Sequence, residues 1–553
     1  MQSPVSRRSF LRGASVGAAV GATALPGLAH GVPLPRRPAP RLPDPATVAA
    51  TDPAMLTALE AASLLQARTL HPVDLLDACL RRSADYDGAT NAWIRTYPEL
   101  AHDQAEQAAQ RLAAGDAPLL CGLPIAVKDL YAVAGLPLTA SSRVLDGNIA
   151  AGDATVWRRL REHGAVLLGH THTDEFAIMT ATPQVGNPWK TDDTAGGSSG
   201  GSAAALAARY APLALGTDTG GSARLPASRC GVSAIKPTFG RCSKYGVIPV
   251  MWTRDHPAAM GRTLADAALL LSFMAGADAN DPVTGTAPPL PAAGFPFTAP
   301  EAAKPLGGRV FGVPVAADRL PAELGRLFTE FLGVVTDLGG ELREVRMPAE
   351  PEGLATGDAV ELGMYHRQWI EQLGLFRPLS AAVVEVGLAS LGIPSTDYLQ
   401  YSRARATYQR AYNRLFDEDG IDALVLPGAA TDGMPRSTAA AASILGADHV
   451  PVTWANYSGA PALSLPAGRS RVTGLPFGVQ LGGRPWGEAD LLPLGLAIEA
   501  AAPHWRDVPP LRPNPRPLPQ VGLGTPGPGP DPTNTDAAAP AFSFIPTTTA
   551  APV

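Results

Sequence analysis

The chain has 553 residues, of which 46% are hydrophobic and 17% charged, and its net charge is −6 at pH 7. This length allows one large core or roughly two to four domains. The negative charge excludes the basic surface of a typical nucleic-acid-binding protein, and no patch suited to anionic membranes stands out.

The first 29 residues are typical of an export signal. Arg7 and Arg8 precede an apolar-led segment, Ala14 to Leu25, which is too short to cross a bilayer of roughly 30 Å as a helix. The segment resembles a twin-arginine signal, which a receptor reads and which does not act as an anchor. We expect a signal peptide at 1–29, export to the periplasm or the extracellular space, and no stable membrane anchor after cleavage. An uncleaved, disordered N-terminus is the alternative.

The composition then divides the chain into three parts. Residues 30–49 are rich in proline and predict an extended linker. Residues 50–508 alternate helical and strand patterns and predict one domain. Residues 509–553 are rich in proline, glycine and threonine, and without apolar periodicity they predict a disordered tail.

The four cysteines do not indicate a metal site or a small disulfide-stabilised fold, because they are few and lack metal-ligand spacing. They are Cys79, Cys121, Cys230 and Cys242. Cys230 and Cys242 are the nearest pair in sequence and could form a disulfide in an oxidising compartment. We favour buried free thiols over that pairing.

In chain order, helical patterns at 55–67 and 101–114 precede the first segment with chemical interest, Gly122 to Tyr131. Ile125 to Val127 is a continuous apolar run that predicts a strand buried on both faces, with Lys128 and Asp129 at its end. A lysine at a strand end is usually solvated. However, the ends of buried strands are also where α/β enzymes place their chemistry.

A helix at 155–163 and a strand lead to three polar residues at alternate positions, His170, His172 and Asp174. Alternate residues of a strand share a face, so this pattern is compatible with a metal site. Because no further His or Cys cluster completes a ligand set nearby, we expect no metal and two solvent-facing imidazoles on a turn.

Two clusters of glycine and serine follow, at 196–202 and 218–222, and a short helix and an apolar strand join them. Neither residue type contributes much to packing. Each cluster adjoins an ordered element, which favours close backbone approach and hydroxyl chemistry over a flexible loop.

Beyond the clusters, periodicity predicts further helices and strands. The helices are 263–275, 322–338, several within 355–411, and 488–501, and the strands are 307–314, 423–427 and the segment FGVQLGG near 480.

The motifs VKD, GGSSGGS and DTGGSARLP together resemble the amidase signature family of serine hydrolases. The resemblance extends to EHGAVLLG, DEFA, NPW, KPTFGR and AMGRTLADAA, and it runs with interruptions from about 50 to about 506. It implies an α/β fold, a single large domain whose mixed β-sheet core is covered by helices on both faces. One departure is that His170 and His172 stand where the family often has lysine and asparagine.

The resemblance implies that Ser222 is the nucleophile, Ser198 the bridging serine at a cis peptide bond, and Lys128 the base. A serine needs a proton acceptor within hydrogen-bond reach, and a lysine can serve only when neutral. Burial disfavours the ammonium, and the pKa of Lys128 would have to fall from about 10.4 to near 7.

Backbone N–H groups of Thr219, Gly220, Gly221 and Ser222 can form an oxyanion hole, because the glycines let the main chain curl around developing charge. Three further residues are expected to support the site from behind: Ser199, Asp218 and Arg224. For Asp218 and Arg224, an ordinary surface salt bridge is the alternative.

An apolar or aromatic acyl pocket has five candidate residues, each of which could equally belong to the core: Tyr131, Met179, Met251, Trp252 and Trp454.

The leading functional hypothesis is a secreted amidase that hydrolyses a carboxamide C–N bond of a small molecule through an acyl-enzyme, without a cofactor. The same machinery could cleave an ester or a carbamate. An amidotransferase component that needs a partner is a second class of function, against which the export signal argues. A non-catalytic binding protein and a metal hydrolase are weaker alternatives, and a homodimer is left open.

Overall fold

An eleven-stranded mixed sheet forms the centre of the fold in the computed structural model. The structure describes residues 42–49, 51–292, 294–350, 354–444 and 452–520. The predicted signal peptide at 1–29, most of the linker and the chain beyond 520 lie outside these described residues.

The sheet has the order β1-β3-β2-β6-β8-β7-β12-β13-β11-β9-β10, and β4 and β5 form a separate two-stranded sheet. The strands of the described chain are β1 (Trp93–Thr96), β2 (Pro124–Lys128), β3 (Val166–Thr171), β4 (Gly186–Asn187), β5 (Lys190–Thr194), β6 (Leu213–Thr217), β7 (Ser233–Lys236), β8 (Pro257–Gly261), β9 (Val310–Val313), β10 (Glu341–Glu344), β11 (Ala423–Pro427), β12 (Ala462–Arg469) and β13 (Pro476–Gly482).

Fourteen α-helices surround the sheet in the described part of the chain, and several pack directly on its strands. They are α1 (Ala58–Gln66), α2 (Pro72–Thr90), α3 (Pro98–Ala114), α4 (Thr155–Glu162), α5 (Gly200–Ala207), α6 (Arg224–Cys230), α7 (Leu264–Met274), α8 (Ala322–Asp337), α9 (Leu354–His366), α10 (Pro378–Ser390), α11 (Ser395–Asp417), α12 (Ala439–Ile444), α13 (Trp454–Ser458) and α14 (Glu488–Ala501). This α/β architecture confirms the predicted fold class.

Local sequence explains where individual helices begin. Helix α7 starts with a capping box, in which the Thr263 side chain accepts from the Asp266 N–H and the Asp266 carboxylate accepts from the Thr263 N–H. Asp266 therefore lies in the first turn, where the helix dipole favours a negative charge. Helix α2 starts at Pro72, whose missing N–H is not needed at that position.

Residues 509–520 depart from the prediction of a disordered tail that starts at 509. The Asn514 N–H donates to the Asp85 carbonyl of α2, and the Thr96 N–H of β1 donates to the Pro519 carbonyl. The Arg516 guanidinium lies 2.6 Å from the Asp87 carboxylate. Backbone pairing and one partly buried ion pair hold this segment, neither of which needs apolar periodicity.

All four cysteines are buried free thiols in the structure, which agrees with the interpretation favoured over a Cys230–Cys242 disulfide.

Among the described helices, no single one is long and apolar enough to cross a membrane. Helices α10 and α11 pass that length and composition test only as a pair, which is bent by 110° at its junction.

Candidate active site

The candidate site lies where two neighbouring parallel strands end. Strand β2 ends at Lys128 and strand β6 at Thr217, and the two strands pair with Val127 opposite Leu215. Carboxyl ends of parallel strands meet at the same edge of a sheet. The first glycine-serine cluster leads into α5 and the second, which follows β6 directly, leads into α6.

Lys128 is completely buried, and its amine is surrounded by hydroxyl groups. Its Nζ lies 2.8 Å from Ser198 Oγ, 2.9 Å from Ser199 Oγ and 2.7 Å from Thr217 Oγ1. No ion pair to a carboxylate joins this amine among the described residues. The interpretation of Lys128 as a solvated strand end is therefore wrong.

Burial lowers the pKa of Lys128 to about 7, although the nearby carboxylates of Asp174, Asp218 and Asp255 favour the charged form. This value agrees with the requirement stated from the sequence. A large fraction of the amine is then neutral at neutral pH, and a neutral amine can accept a proton.

The two adjacent serines at the first cluster differ in their hydrogen bonds. Ser199 Oγ donates to the Thr217 carbonyl and accepts from the Thr217 N–H as well as from Lys128. Its proton is thus committed to the backbone. Ser198 Oγ contacts only Lys128 among the described residues, so Ser198 is the hydroxyl that can exchange a proton with the amine.

The backbone brings the second cluster against the first. The Ser199 N–H donates to the Ser222 carbonyl over 3.0 Å, and the Gly197–Ser198 peptide bond is cis, as the resemblance implies. Ser222 is 3% exposed. The structure thus places Lys128, Ser198 and Ser222 in one region.

The loop from Asp218 to Ser222 presents backbone N–H groups. The Gly221 N–H donates to Asp218 Oδ1 over 2.9 Å. Within the described residues, the N–H groups of Thr219, Gly220 and Ser222 have no acceptor. Of the four candidate oxyanion donors, these three are the ones open to a ligand, and Gly221 is engaged.

Asp218 and Arg224 form a buried ion pair behind the nucleophile loop. Arg224 Nε lies 2.9 Å from Asp218 Oδ2 and its NH2 lies 3.0 Å from Oδ1, and neither side chain is exposed. Asn456 donates to Asp218, and Gln480 accepts from Arg224. Burial raises the pKa of Asp218, but Arg224 more than offsets this and holds that pKa below its usual value. The alternative of a surface salt bridge is therefore wrong.

The histidines of the HxHxD pattern are structural. His170 belongs to β3 and is fully buried, with Nδ1 bonded to the Tyr97 hydroxyl and Nε2 to the Tyr131 carbonyl. His172 Nδ1 contacts Ser141 Oγ. The expectation of two solvent-facing imidazoles is wrong, because the strand continues through His170 into the core.

No cluster of three or more His, Cys, Asp or Glu side chains in the described ranges could hold a metal ion. The third member of the pattern is Asp174, whose carboxylate acts on Lys128 electrostatically and favours the charged form of the amine. Its Oδ2 accepts from the Met179 N–H, and its buried Oδ1 has no hydrogen-bond partner among the described residues. Burial raises its pKa to about 7.

Three of the five pocket candidates are buried, and the other two are partly exposed. Tyr131 is fully buried with its hydroxyl on the Gly216 carbonyl, and Trp454 is stacked on Tyr412 in the core. Met179 is also buried and contacts Asp174 through its backbone. Met251 and Trp252 are partly exposed and lie on the loop that precedes β8.

Sequence reasoning missed three residues that contact the site. Thr217 holds the amine, Asp255 accepts from the Thr219 hydroxyl, and Asn456 donates to Asp218. A signal existed for Thr217, because its hydroxyl directly precedes the second cluster at the end of an apolar strand, as Lys128 ends its own strand. Asp255 and Asn456 had no local signal.

Comparisons with known proteins identify the family of this chain. Residues 74–492 match the family model described as Amidase. The chain is 35% identical to a component of the glutamyl-tRNA(Gln) amidotransferase of Dinoroseobacter shibae, over 81% of this chain and 97% of the relative.

Two solved structures show the same fold. One comes from work on a vestigial protein complex and the origins of an s-triazine catabolic enzyme, with a TM-score of 0.71, 29% identity, and coverage of 80% of this chain and 98% of that chain. The other is the native peptide amidase of Stenotrophomonas maltophilia, with a TM-score of 0.68, 25% identity, and coverage of 85% and 99%.

Proposed function

Because this chain belongs to the amidase family, we propose that it hydrolyses a carboxamide C–N bond through an acyl-enzyme on Ser222. One observation carries the proposal: a buried amine, Lys128, whose pKa is lowered to about 7, lies 2.8 Å from the Ser198 hydroxyl. A neutral amine linked to a serine is what activation of a second serine requires.

The proton would move along the two serines to the lysine. When Lys128 is neutral, its two N–H bonds can donate to Ser199 and Thr217, and its lone pair then faces the Ser198 hydroxyl. Ser198 gives its proton to the amine and takes the proton of Ser222 as Ser222 Oγ bonds to the carbonyl carbon. The carbonyl oxygen becomes an oxyanion, which the N–H groups of Thr219, Gly220 and Ser222 can stabilise.

Collapse of this tetrahedral species breaks the C–N bond. The ammonium of Lys128 returns the proton through Ser198 to the leaving nitrogen, which departs as ammonia or an amine. Water then attacks the acyl-enzyme by the same proton path, and the carboxylic acid leaves Ser222. An ester or carbamate would react by the same steps, because the acyl-enzyme does not depend on the leaving group.

A second candidate keeps this chemistry but changes its context. The curated relative is named as one component of an amidotransferase and is covered over 97% of its length, which favours a chain that liberates ammonia for a partner protein. This relationship supports the amidotransferase function better than it supports a free-standing amidase. The twin-arginine-like segment supports the free-standing amidase.

The chemistry is tested with the purified full chain and its Ser222→Ala variant, with ammonia release measured from acetamide, benzamide and L-glutamine. p-Nitrophenyl acetate tests the esterase alternative. We expect the wild type to turn over at least one compound and Ser222→Ala to lose that turnover. The exposed Ser437→Ala variant is the matched control and should keep it. Retained turnover in Ser222→Ala would overturn the acyl-enzyme on this residue.

The same assay separates the two contexts. Ammonia release by the isolated chain favours the free-standing amidase. Release that appears only when a co-purified partner protein is present favours the amidotransferase component.

Export is proposed from the N-terminal sequence alone. Replacement of both arginines, Arg7→Lys with Arg8→Lys, should retain the protein in the cytoplasm of a bacterial host that has a twin-arginine pathway. Cell fractionation measures this, and unchanged distribution of the variant would refute the twin-arginine route.

A further inference from the structure

The loop with the three open N–H groups is fixed at both of its ends by a carboxylate. At one end, Asp218 Oδ1 accepts from the Gly221 N–H over 2.9 Å. At the other end, the side chain of Thr219 donates to Asp255 Oδ1 over 2.6 Å. The open N–H groups of Thr219 and Gly220 lie between these two attachments.

Asp255 is itself held tightly by its own loop. Its Oδ2 accepts from the Val250 N–H over 2.9 Å, and the Met251 N–H lies 3.1 Å from both carboxylate oxygens. The Asp255 N–H donates to the Met251 carbonyl. These bonds fix the carboxylate, so it offers Thr219 one definite position.

The loop around Asp255 is anchored in turn to helix α9. The Thr253 hydroxyl and N–H both donate to the Glu361 carboxylate, at 2.8 and 3.0 Å. Arg254 forms a buried ion pair with Asp358 over 3.0 Å. The position of Thr219 is thus linked through Asp255 and its loop to helix α9.

Asp255 is not placed to act as an acid or a base itself. Its oxygens are occupied by backbone N–H groups and by Thr219, and it makes no hydrogen bond to Ser198 or Ser222 in the described chain. It acts on the site through the Thr219 hydroxyl. Burial raises the pKa of Asp255 to about 6, and Lys244, which makes no hydrogen bond to it in the described chain, acts in the opposite direction.

We propose that the Thr219 hydroxyl and the Asp255 carboxylate are positioning residues that aim the N–H groups of Thr219 and Gly220 at the developing oxyanion. This inference rests on the proposed function, because it assumes the Ser222 acyl-enzyme. Oxyanion donors are effective only at the right distance from the developing charge, and a shift of about 1 Å from a distant change can cost about 100-fold in rate.

The test compares four full-length variants with the wild type on p-nitrophenyl acetate and on the best carboxamide of the panel. Thr219→Val removes the hydroxyl but keeps the shape, and Thr219→Ser keeps the hydroxyl. Asp255→Asn keeps one oxygen acceptor but replaces the other oxygen with an amide nitrogen, which cannot accept. Thr90→Val is the matched control, since Thr90 donates to the Asp87 carboxylate in an equally buried pair elsewhere.

We expect Thr219→Val to lower kcat about 10- to 100-fold with KM changed less than about 3-fold. Asp255→Asn should lower kcat by a similar factor, because its amide nitrogen would face the Val250 or the Thr219 donor and displace the loop. Thr219→Ser should stay within about 3-fold of the wild type, because its hydroxyl can still donate to the Asp255 carboxylate. Reaction rates with a fluorophosphonate probe should follow the same order. Thr90→Val should lower the Tm without changing kcat per active site.

Two results would overturn the inference. One is a wild-type kcat in Thr219→Val. The other is a loss that appears equally in Thr219→Ser or that follows only the fraction of folded protein. Absence of turnover in the wild type, both alone and with a co-purified partner protein, would instead refute the proposed function, so the two failures are distinguishable.

Discussion

Two buried basic side chains, Lys128 and Arg224, adjoin the nucleophile loop, and their hydrogen-bond partners differ. Lys128 is held by three hydroxyl groups and has no carboxylate in contact. Arg224 makes a two-point contact with the Asp218 carboxylate and further bonds to Asn456 and Gln480. Both side chains are fully buried.

The difference shows that the partner, rather than burial alone, decides the charge of a buried group. Hydroxyls compensate an ammonium poorly, so burial lowers the pKa of Lys128 to about 7. A carboxylate with a two-point contact keeps both ions charged. The first arrangement provides a reactive group, and the second provides a fixed support for the loop.

The largest effect is expected for Lys128→Met, which removes the reactive amine. We expect kcat/KM to fall about 10³-fold, within the range for loss of a general base. Stability at pH 7 should not fall, because the change removes a buried amine that lacks a counter-ion. Steady-state kinetics and thermal unfolding measure the two effects, with the exposed Lys190→Met as control.

Stability should also depend on pH with a definite sign. The folded-state pKa of Lys128 lies below its ordinary value of 10.5, so the unfolded chain binds more protons between about 7 and 10.5. This group therefore makes the wild type more stable as pH rises through that window. Any stability advantage of Lys128→Met should shrink accordingly, and an advantage that grows with pH would contradict the assignment.

Asp218→Asn removes the carboxylate of the supporting ion pair and leaves Arg224 buried without its counter-ion. We expect the free energy of unfolding to fall by about 3–5 kcal/mol in denaturant titration. Glu162→Gln is the matched control, because it removes one partner of the exposed Arg158–Glu162 pair, for which less than about 1 kcal/mol is expected. Equal losses in the two variants would show that the buried pair has no special weight.

The smallest effect is expected for Asp174→Asn, which removes a carboxyl group that acts on Lys128 electrostatically. In the wild type, kcat/KM should rise with pH as Lys128 loses its proton, and the midpoint of this rise should lie near pH 7. The ionised form of Asp174 favours the ammonium, but burial raises the pKa of Asp174 to about 7, so this carboxyl is only partly charged at the midpoint. Its removal should therefore move the midpoint lower by up to about 0.5 pH unit. The carboxylates of Asp218 and Asp255 remain and limit the shift.

A pH–rate profile of wild type, Asp174→Asn and the exposed Asp397→Asn checks this expectation. A midpoint that moves higher in Asp174→Asn, or that moves equally in both variants, would rule out this influence of Asp174 on the amine.

The sequence predicted the elements with clear local patterns. The buried strand at 423–427 and the helix at 488–501 have the bounds expected from their apolar runs. The pairing of Lys128 with Ser198 came from the resemblance to the amidase signature family, whereas the local pattern predicted only that Lys128 ends a buried strand. His170 was misjudged because we expected the strand to end before it, whereas β3 continues to Thr171.

Residues that act across long intervals of chain could not be predicted in this way. Asn456 contacts Asp218 across 238 residues, and Asp255 contacts Thr219 across 36. Such contacts depend on how strands assemble into the sheet, which local periodicity does not encode. Residues 509–520 were also misjudged, because their attachment depends on main-chain bonds.

That terminal segment also affects how the sheet meets its environment. Strand β1 lies at one end of the strand order, and an unpaired edge is a template for aggregation with other chains. Gln520 forms a parallel bridge with Thr96, so the chain occupies part of this edge itself. The opposite edge, β10, instead carries Glu341, Arg343 and Glu344, and charges there discourage strand addition. The two edges of the sheet are thus protected by different means, one by the chain's own backbone and the other by charged side chains.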